Sequence, residues 1–167
     1  MKTLLVLRHG KSSWANANQS DHERPLKPRG ERDARRMGWE LKQRGVVPDL
    51  ILSSTAERAR LTAYLAADAA GCTDVVTESR ELYLTGVAHQ LGILASAAGE
   101  DVTAAMLVGH NPTLEDLSSR LSDSDLRLTT GNLVCIDLDI ASWSELPEAR
   151  GTLRFLLRPR ELPPQEA

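Results

Sequence analysis

Apolar positions fall along this chain in two alternating rhythms. Residues 2–7, KTLLVL, form a continuous apolar run, the kind buried on both faces of a parallel sheet. Residues 11–28 are polar, broken by Pro25 and Pro28, and read as a long loop. A helical rhythm takes over in RGERDARRMGWELKQRG (29–45), where Ala34, Met37 and Leu41 share a face and Gly45 supplies the stop. DLILSS (49–54), entered through Pro48, predicts a second strand. AERARLTAYLAADAAG (56–71) predicts a helix whose stripe of Ala59, Ala63, Ala66 and Ala70 is narrow enough to pack closely onto a sheet. DVVTE (74–78) is a weaker strand, and VAHQLGILASAAG (87–99) a helix with Val87, Leu91, Leu94 and Ala98 in phase. TAAMLVGH (103–110) is the next buried strand. Asn111 and Pro112 then read as an N-cap and first-turn pair for a helix carrying Leu114, Leu117 and Leu121. Beyond it the rhythm changes. NLVCIDLDI (132–140) and TLRFLLRP (152–159) are strands separated by a polar stretch with no helical pattern, hence an antiparallel pair.

Strand–helix alternation over most of the chain predicts an α/β fold, a three-layer α/β/α sandwich with a mainly parallel sheet and antiparallel C-terminal strands. At 167 residues the chain suits one domain, 1–160, followed by a flexible tail, 161–167. No internal repeat or low-complexity linker interrupts it.

Composition narrows the function classes. Twenty basic residues against 23 acidic leave a net charge of −3, so no nucleic-acid partner and no anionic membrane surface is implied. The cluster RGERDARRMG interleaves acids with its arginines and reads as a solvated helix face. Leu4 to Leu7 is far shorter than the roughly 7–15 residues of a signal-peptide core. No apolar run approaches the roughly 18 residues of a membrane span. Two cysteines, Cys72 and Cys135, make no disulfide framework, and Cys135 reads as core packing. The expectation is a cytoplasmic protein.

The candidate chemistry collects where strands end, the place where open α/β sheets bind ligands. The first strand ends in Arg8-His9-Gly10. The second ends in Ser53-Ser54-Thr55, with Arg58 and Arg60 just inside the next helix. The third opens onto Arg80-Glu81, and the fourth ends in Gly109-His110-Asn111. Guanidinium forks and helix N-termini suit an anion, and a tetrahedral phosphoryl group best uses such donors. Arginine charge beside imidazole favours its neutral form, which can attack phosphorus and carry it as a covalent phosphohistidine. Gly10 would let the backbone turn close to the anion. The histidines, His22 and His89 included, lack metal-ligand spacing, so neither a metal nor a cofactor is expected.

LRHGKSSW, LSSTAERARLTA and LVGHNP together resemble the signature segments of the histidine phosphatase (phosphoglycerate mutase-like) superfamily, from the first strand through the helix after His110. The short chain and DHERPLKPRGERDA resemble its SixA-type phosphohistidine phosphatases. The resemblance implies a metal-independent phosphatase in which His9 is the nucleophile and Arg8, Arg58 and His110 complete the phosphate pocket. Ser12 is a further candidate phosphate contact, and Arg60 a solvated neighbour. Glu81, in SRELYLTG, is similar in place to the acid that other members use on an alkoxide, with Asp21 and Glu23 as substitutes. Ala15 follows Trp14 where mutases often carry a phosphate-contacting Asn, and Asn16 stands one place later. Trp14 is expected at the rim; Trp39 and Trp143 are expected to be structural. With no lid insertion, the site should be open, suiting a phosphohistidine on a protein. A phosphatase for small phosphate monoesters, and a non-catalytic phosphate-binding module, are the alternatives. The oligomeric state is not legible.

Overall fold

The computed structural model describes residues 1–165. Strands β1 (Lys2–Arg8), β2 (Leu50–Ser54), β3 (Val76–Ser79) and β4 (Ala104–Gly109) alternate with helices α1 (Pro28–Gln43), α2 (Glu57–Ala70) and α3 (Val87–Ala97). Helix α4 (Thr113–Ser122) and strands β5 (Leu133–Leu138) and β6 (Gly151–Leu157) follow. Among the described residues the six strands form one sheet in the order β3-β2-β4-β1-β5-β6. β1, β2, β3 and β4 pair in parallel, while β5 and β6 run antiparallel on the far edge. This is the expected mixed α/β sheet.

Successive strand residues point to opposite faces, so continuous apolar strands feed two cores. Leu4 and Val6 of β1, with Ala105 and Leu107 of β4, pack against Leu91, Leu94, Leu114 and Leu117 of α3 and α4. Leu5 and Leu7, with Met106 and Val108, pack on the other face against Met37, Leu41 and the α2 alanines. The alanine stripe therefore meets the sheet, as its small side chains predict, and shares that core with α1. Cys72 and Cys135 are buried free thiols, and burial pushes the Cys135 thiol up to about 11.

Local details differ from the sequence reading where short-range periodicity carries no signal. Residues 73–75 form a 3₁₀ turn, so β3 starts later than the DVVTE pattern implies. The stretch between β5 and β6 holds a 3₁₀ helix, Trp143–Glu148, opened by a capping box from Ser142 and Glu145. It seats Trp143 in the core, where its indole N–H donates to the Val102 carbonyl at 2.7 Å. Asn111 is not the N-cap of α4. Pro112 holds that place, and Asn111 Oδ1 accepts from the Glu115 N–H at 3.2 Å from one residue outside. Of the stretch read as a tail, Leu162 packs against the α1–α2 core, and residues 166–167 lie outside the described residues. Among the described residues no helix is long and apolar enough to cross a membrane.

Candidate active site

Strand register brings the two motif histidines together. Arg8 of β1 lies opposite Gly109 of β4, and the His9 N–H donates to the Gly109 carbonyl at 3.1 Å. Each strand is followed directly by its histidine, and the two rings stand with centroids 5.2 Å apart. Arg58, in the first turn of α2, points Nε at His9 Nε2 from 3.4 Å. A cavity of about 270 Å³ opens here, with Arg8, His9, Lys11, Ser12, Arg24, Arg58 and His110 in its wall. Asn111, Thr130, Trp14 and Leu84 complete the lining.

Hydrogen bonding determines the protonation of His9. A carbonyl can only accept, so Nδ1, 2.7 Å from the Gly10 oxygen, carries the proton and Nε2 keeps its lone pair. Burial holds the ring neutral and lowers its pKa to about 4, with Arg58, Arg8 and Arg24 adding to the effect. His110 Nε2 shares a 2.8 Å hydrogen bond with Ser54 Oγ at the end of β2. Its pKa falls to about 3, again chiefly by burial and then by the neighbouring His9 and Arg58. His110 Nδ1 and Arg8 Nε are buried without protein partners, an arrangement that suits a pocket made to receive acceptor oxygens. The other end of the Arg8 fork is anchored, with Nη1 donating to the Leu128 carbonyl at 2.9 Å.

A second layer keeps the cations in place. Arg58 donates to the Asp21 carbonyl at 2.7 Å and to its carboxylate at 3.0 Å. The same carboxylate accepts from Arg24 at 2.9 Å and from the Tyr83 hydroxyl at 2.6 Å. Partial desolvation opposes its ionisation, but the bonds from Tyr83, Arg24 and Arg58 outweigh it and hold Asp21 well below the usual carboxylate range. Arg24 lies under Trp14, its guanidinium 3.2 Å from the ring centroid, and also donates to Ser12 Oγ. Gly10 is required by packing as well as by any turn toward an anion. A Cβ there would meet the Gly30 carbonyl oxygen at 2.6 Å, where β1 runs into the start of α1.

The structure brings together Arg8, His9, Ser12, Arg58 and His110, with Trp14 at the rim as expected. Glu81 it does not bring in. Residues 80–82 form a 3₁₀ turn that buries Leu82, so the adjacent Glu81 faces outward, 3.6 Å from His89, with 67% of its side chain exposed. Asp21 stands behind the arginines, and Glu23 is exposed and bonded to Ser20. Asn16 closes a local turn with Asn18, and Arg60 pairs with Glu57. Residues not singled out from sequence are Arg24, Tyr83, Leu84 and Thr130. Only Arg24 had a signal, an arginine inside the DHERPL segment. Among the described residues, no group of three or more His, Cys, Asp or Glu side chains is placed to hold a metal ion.

Two histidines kept neutral give stability a pH dependence. An unfolded chain takes protons on both below about 6.5, whereas the folded chain does so only near 4 and 3. Their contribution is complete above pH 6.5 and is lost as pH falls through that window, by up to about 1.4 kcal/mol per pH unit for each ring. Urea midpoints measured from pH 7 to pH 4.5 should therefore fall steadily. A flat profile would mean that the two rings take up protons in the fold at the same pH as in the unfolded chain.

Residues 4–82 match the sequence model of the histidine phosphatase superfamily (branch 1). An uncharacterized chloroplastic protein of Arabidopsis thaliana is 32% identical over 152 residues, 86% of this chain and 70% of that one. A 2,3-bisphosphoglycerate-dependent phosphoglycerate mutase of Bifidobacterium longum is 44% identical over 69 residues, 40% of this chain and only 28% of the mutase. In three dimensions the chain is similar to a structure described as a phosphohistidine phosphatase SixA from Nakamurella multipartitia. That match has a TM-score of 0.81 at 29% identity and covers 95% of this chain and 96% of the other.

Proposed function

Since the chain belongs to the histidine phosphatase superfamily, we propose that it is a protein phosphohistidine phosphatase of SixA type that works through a phosphorylated His9. The phosphoryl group enters with its oxygens toward Arg8, Arg24, Arg58 and His110. His9 Nε2 attacks phosphorus in line, forming a new P–N bond as the bond to the leaving group breaks on the opposite side. Water then attacks the phosphorylated His9, releasing phosphate and restoring the neutral ring. The arginines neutralise the equatorial oxygens throughout, so the chemistry asks for no metal. The cytoplasm is the compartment this reading assumes, with Cys72 and Cys135 remaining thiols.

The observation that carries the substrate class is that, among the described residues, no carboxyl side chain lines the cavity. Glu81 faces away, and Asp21 is kept ionised by its cations. An alkoxide leaving group needs a proton donor of matched pKa. A phosphorylated imidazole protonated on its other nitrogen departs as neutral imidazole and needs little help. The mouth supports the same reading, because Trp14 is 74% and Leu84 69% exposed on its rim. Leu84 is held there by a left-handed backbone, φ 57°, uncommon for a side chain of its size. In-line departure sends the leaving group outward past these apolar residues.

Hydrolysis of a phosphohistidine peptide should exceed that of a phosphoserine peptide of the same sequence by on the order of 10² in kcat/KM, the scale of missing acid catalysis. Glu81→Gln should leave both rates within about twofold. Equal rates on the two peptides would sink the substrate reading. A loss in Glu81→Gln confined to phosphoserine would restore Glu81 as the acid.

A further inference from the structure

Beside the catalytic cavity, and separated from it by Thr130, lies a second cavity of about 410 Å³ walled by Arg29, Arg32, Arg160, Thr129, Thr130 and Asn132. We propose that it is an anion subsite that receives a carboxylate carried by the substrate protein next to its phosphorylated side chain. The proposal deepens, and rests on, the reading of the catalytic cavity as acting on a phosphoprotein.

Three segments far apart in sequence converge on this cavity: the first turns of α1, the loop before β5, and the stretch after β6. Three arginines face one carboxylate there, that of Asp33, which stands 3.8 Å from Arg29. Among the described residues, Arg32 has no carboxylate partner within 4.0 Å. Guanidinium groups gathered on one concavity repel one another, and a bound anion relieves that repulsion while accepting their forked hydrogen bonds. Asn132 adds an independent sign. It is 1% exposed, its Oδ1 is taken by the Thr129 N–H and hydroxyl, and its Nδ2 has no partner. Buried donors left unpaired in this way are rare, and Asn132 is one of the residues that line the cavity.

The wall is also wired to the catalytic strand. The Gly131 N–H donates to the Arg8 and His9 carbonyls at 3.1 and 2.9 Å, and the Asn132 carbonyl accepts from the Arg8 N–H at 3.1 Å. Gly131 has φ 77°, a conformation that favours glycine, and a Cβ there would press on Asp33 and Pro159 at 3.3 Å. One rigid loop therefore backs both cavities and sets the spacing between them. A phosphoryl group in the first and a carboxylate in the second must belong to one substrate surface. A chain of net charge −3 gains orientation toward an acidic partner only from such a local patch.

The test compares the full chain with an Arg32→Ser/Arg160→Ser variant on three substrates. Two are phosphohistidine peptides differing only in acidic (Asp, Glu) or neutral (Asn, Gln) flanking residues; the third is phosphoramidate, which has no second anionic group. The wild type should favour the acidic peptide by about 10-fold in kcat/KM at low salt, with the preference shrinking as salt is added. The variant should lose the preference and keep phosphoramidate turnover within about twofold. No preference in the wild type, or its persistence in the variant, would overturn the subsite. So would an equal loss on phosphoramidate, because the arginines would then serve the fold. Should phosphohistidine peptides not be hydrolysed while phosphoserine peptides are, the substrate reading fails by itself. The acidic-against-neutral comparison on the phosphoserine pair then decides the subsite by the same outcomes.

Discussion

Replacing His9 with alanine removes turnover by on the order of 10⁴-fold or more and leaves the fold standing. The loss is large because, of the two imidazoles lining the cavity, His9 is the one whose unprotonated nitrogen meets Arg58 Nε. His110 spends Nε2 on Ser54 and keeps only a buried Nδ1. The fold survives because His9 contributes little that its neighbours need. Its ring donates to the Gly10 carbonyl and accepts from Arg58 Nε, while its backbone stays tied to Gly109 and Gly131. The variant should also lose part of the acid sensitivity described above, since one ring that must stay neutral is gone. Turnover of phosphoramidate, ³²P trapping on the protein, and circular dichroism together check this. Label retained in the variant would place the nucleophile elsewhere.

Arg58→Ala lowers kcat/KM by about 10²–10³, the usual consequence of removing one donor aimed at developing phosphoryl charge. Its side chain combines three tasks within one fork: Nε faces His9 Nε2, and the two terminal nitrogens hold Asp21. Lysine, a point charge without the fork, should recover only part of the loss. The variant carries a second signature that a purely structural defect would not produce. Arg58 is one of the cations lowering the His9 pKa, so its removal moves the acid limb of kcat/KM to higher pH. Burial, the larger cause, remains, and the limb should stay below the ordinary histidine value of 6.5. An unmoved limb would mean that Arg58 does not face the nucleophile in solution.

What the chain reveals by itself, and what it withholds, follows the range of the forces involved. The runs Leu4–Leu7 and Ala104–Val108 announce buried parallel strands because apolar continuity and alternation are local properties of a few residues. Arg8, His9, Arg58 and His110 were legible for a related reason: parallel strands end on one edge, so residues just past those ends must meet. Glu81 was misplaced because a 3₁₀ turn of three residues decides which way a side chain faces, and no periodicity records it. Asp21 looked like a proton donor until Arg24, Arg58 and Tyr83 converged on it from other parts of the chain. Arg29 and Arg32 read as a solvated face, and both are exposed; what the sequence did not show is that Arg160 and Asn132 stand beside them around one cavity. Sequence by itself determined the strands, their common edge and the histidines that the edge presents. Only the tertiary structure decided which charges are paired, which donors are free and what the mouth offers a substrate, because those depend on side chains brought together across long stretches of chain.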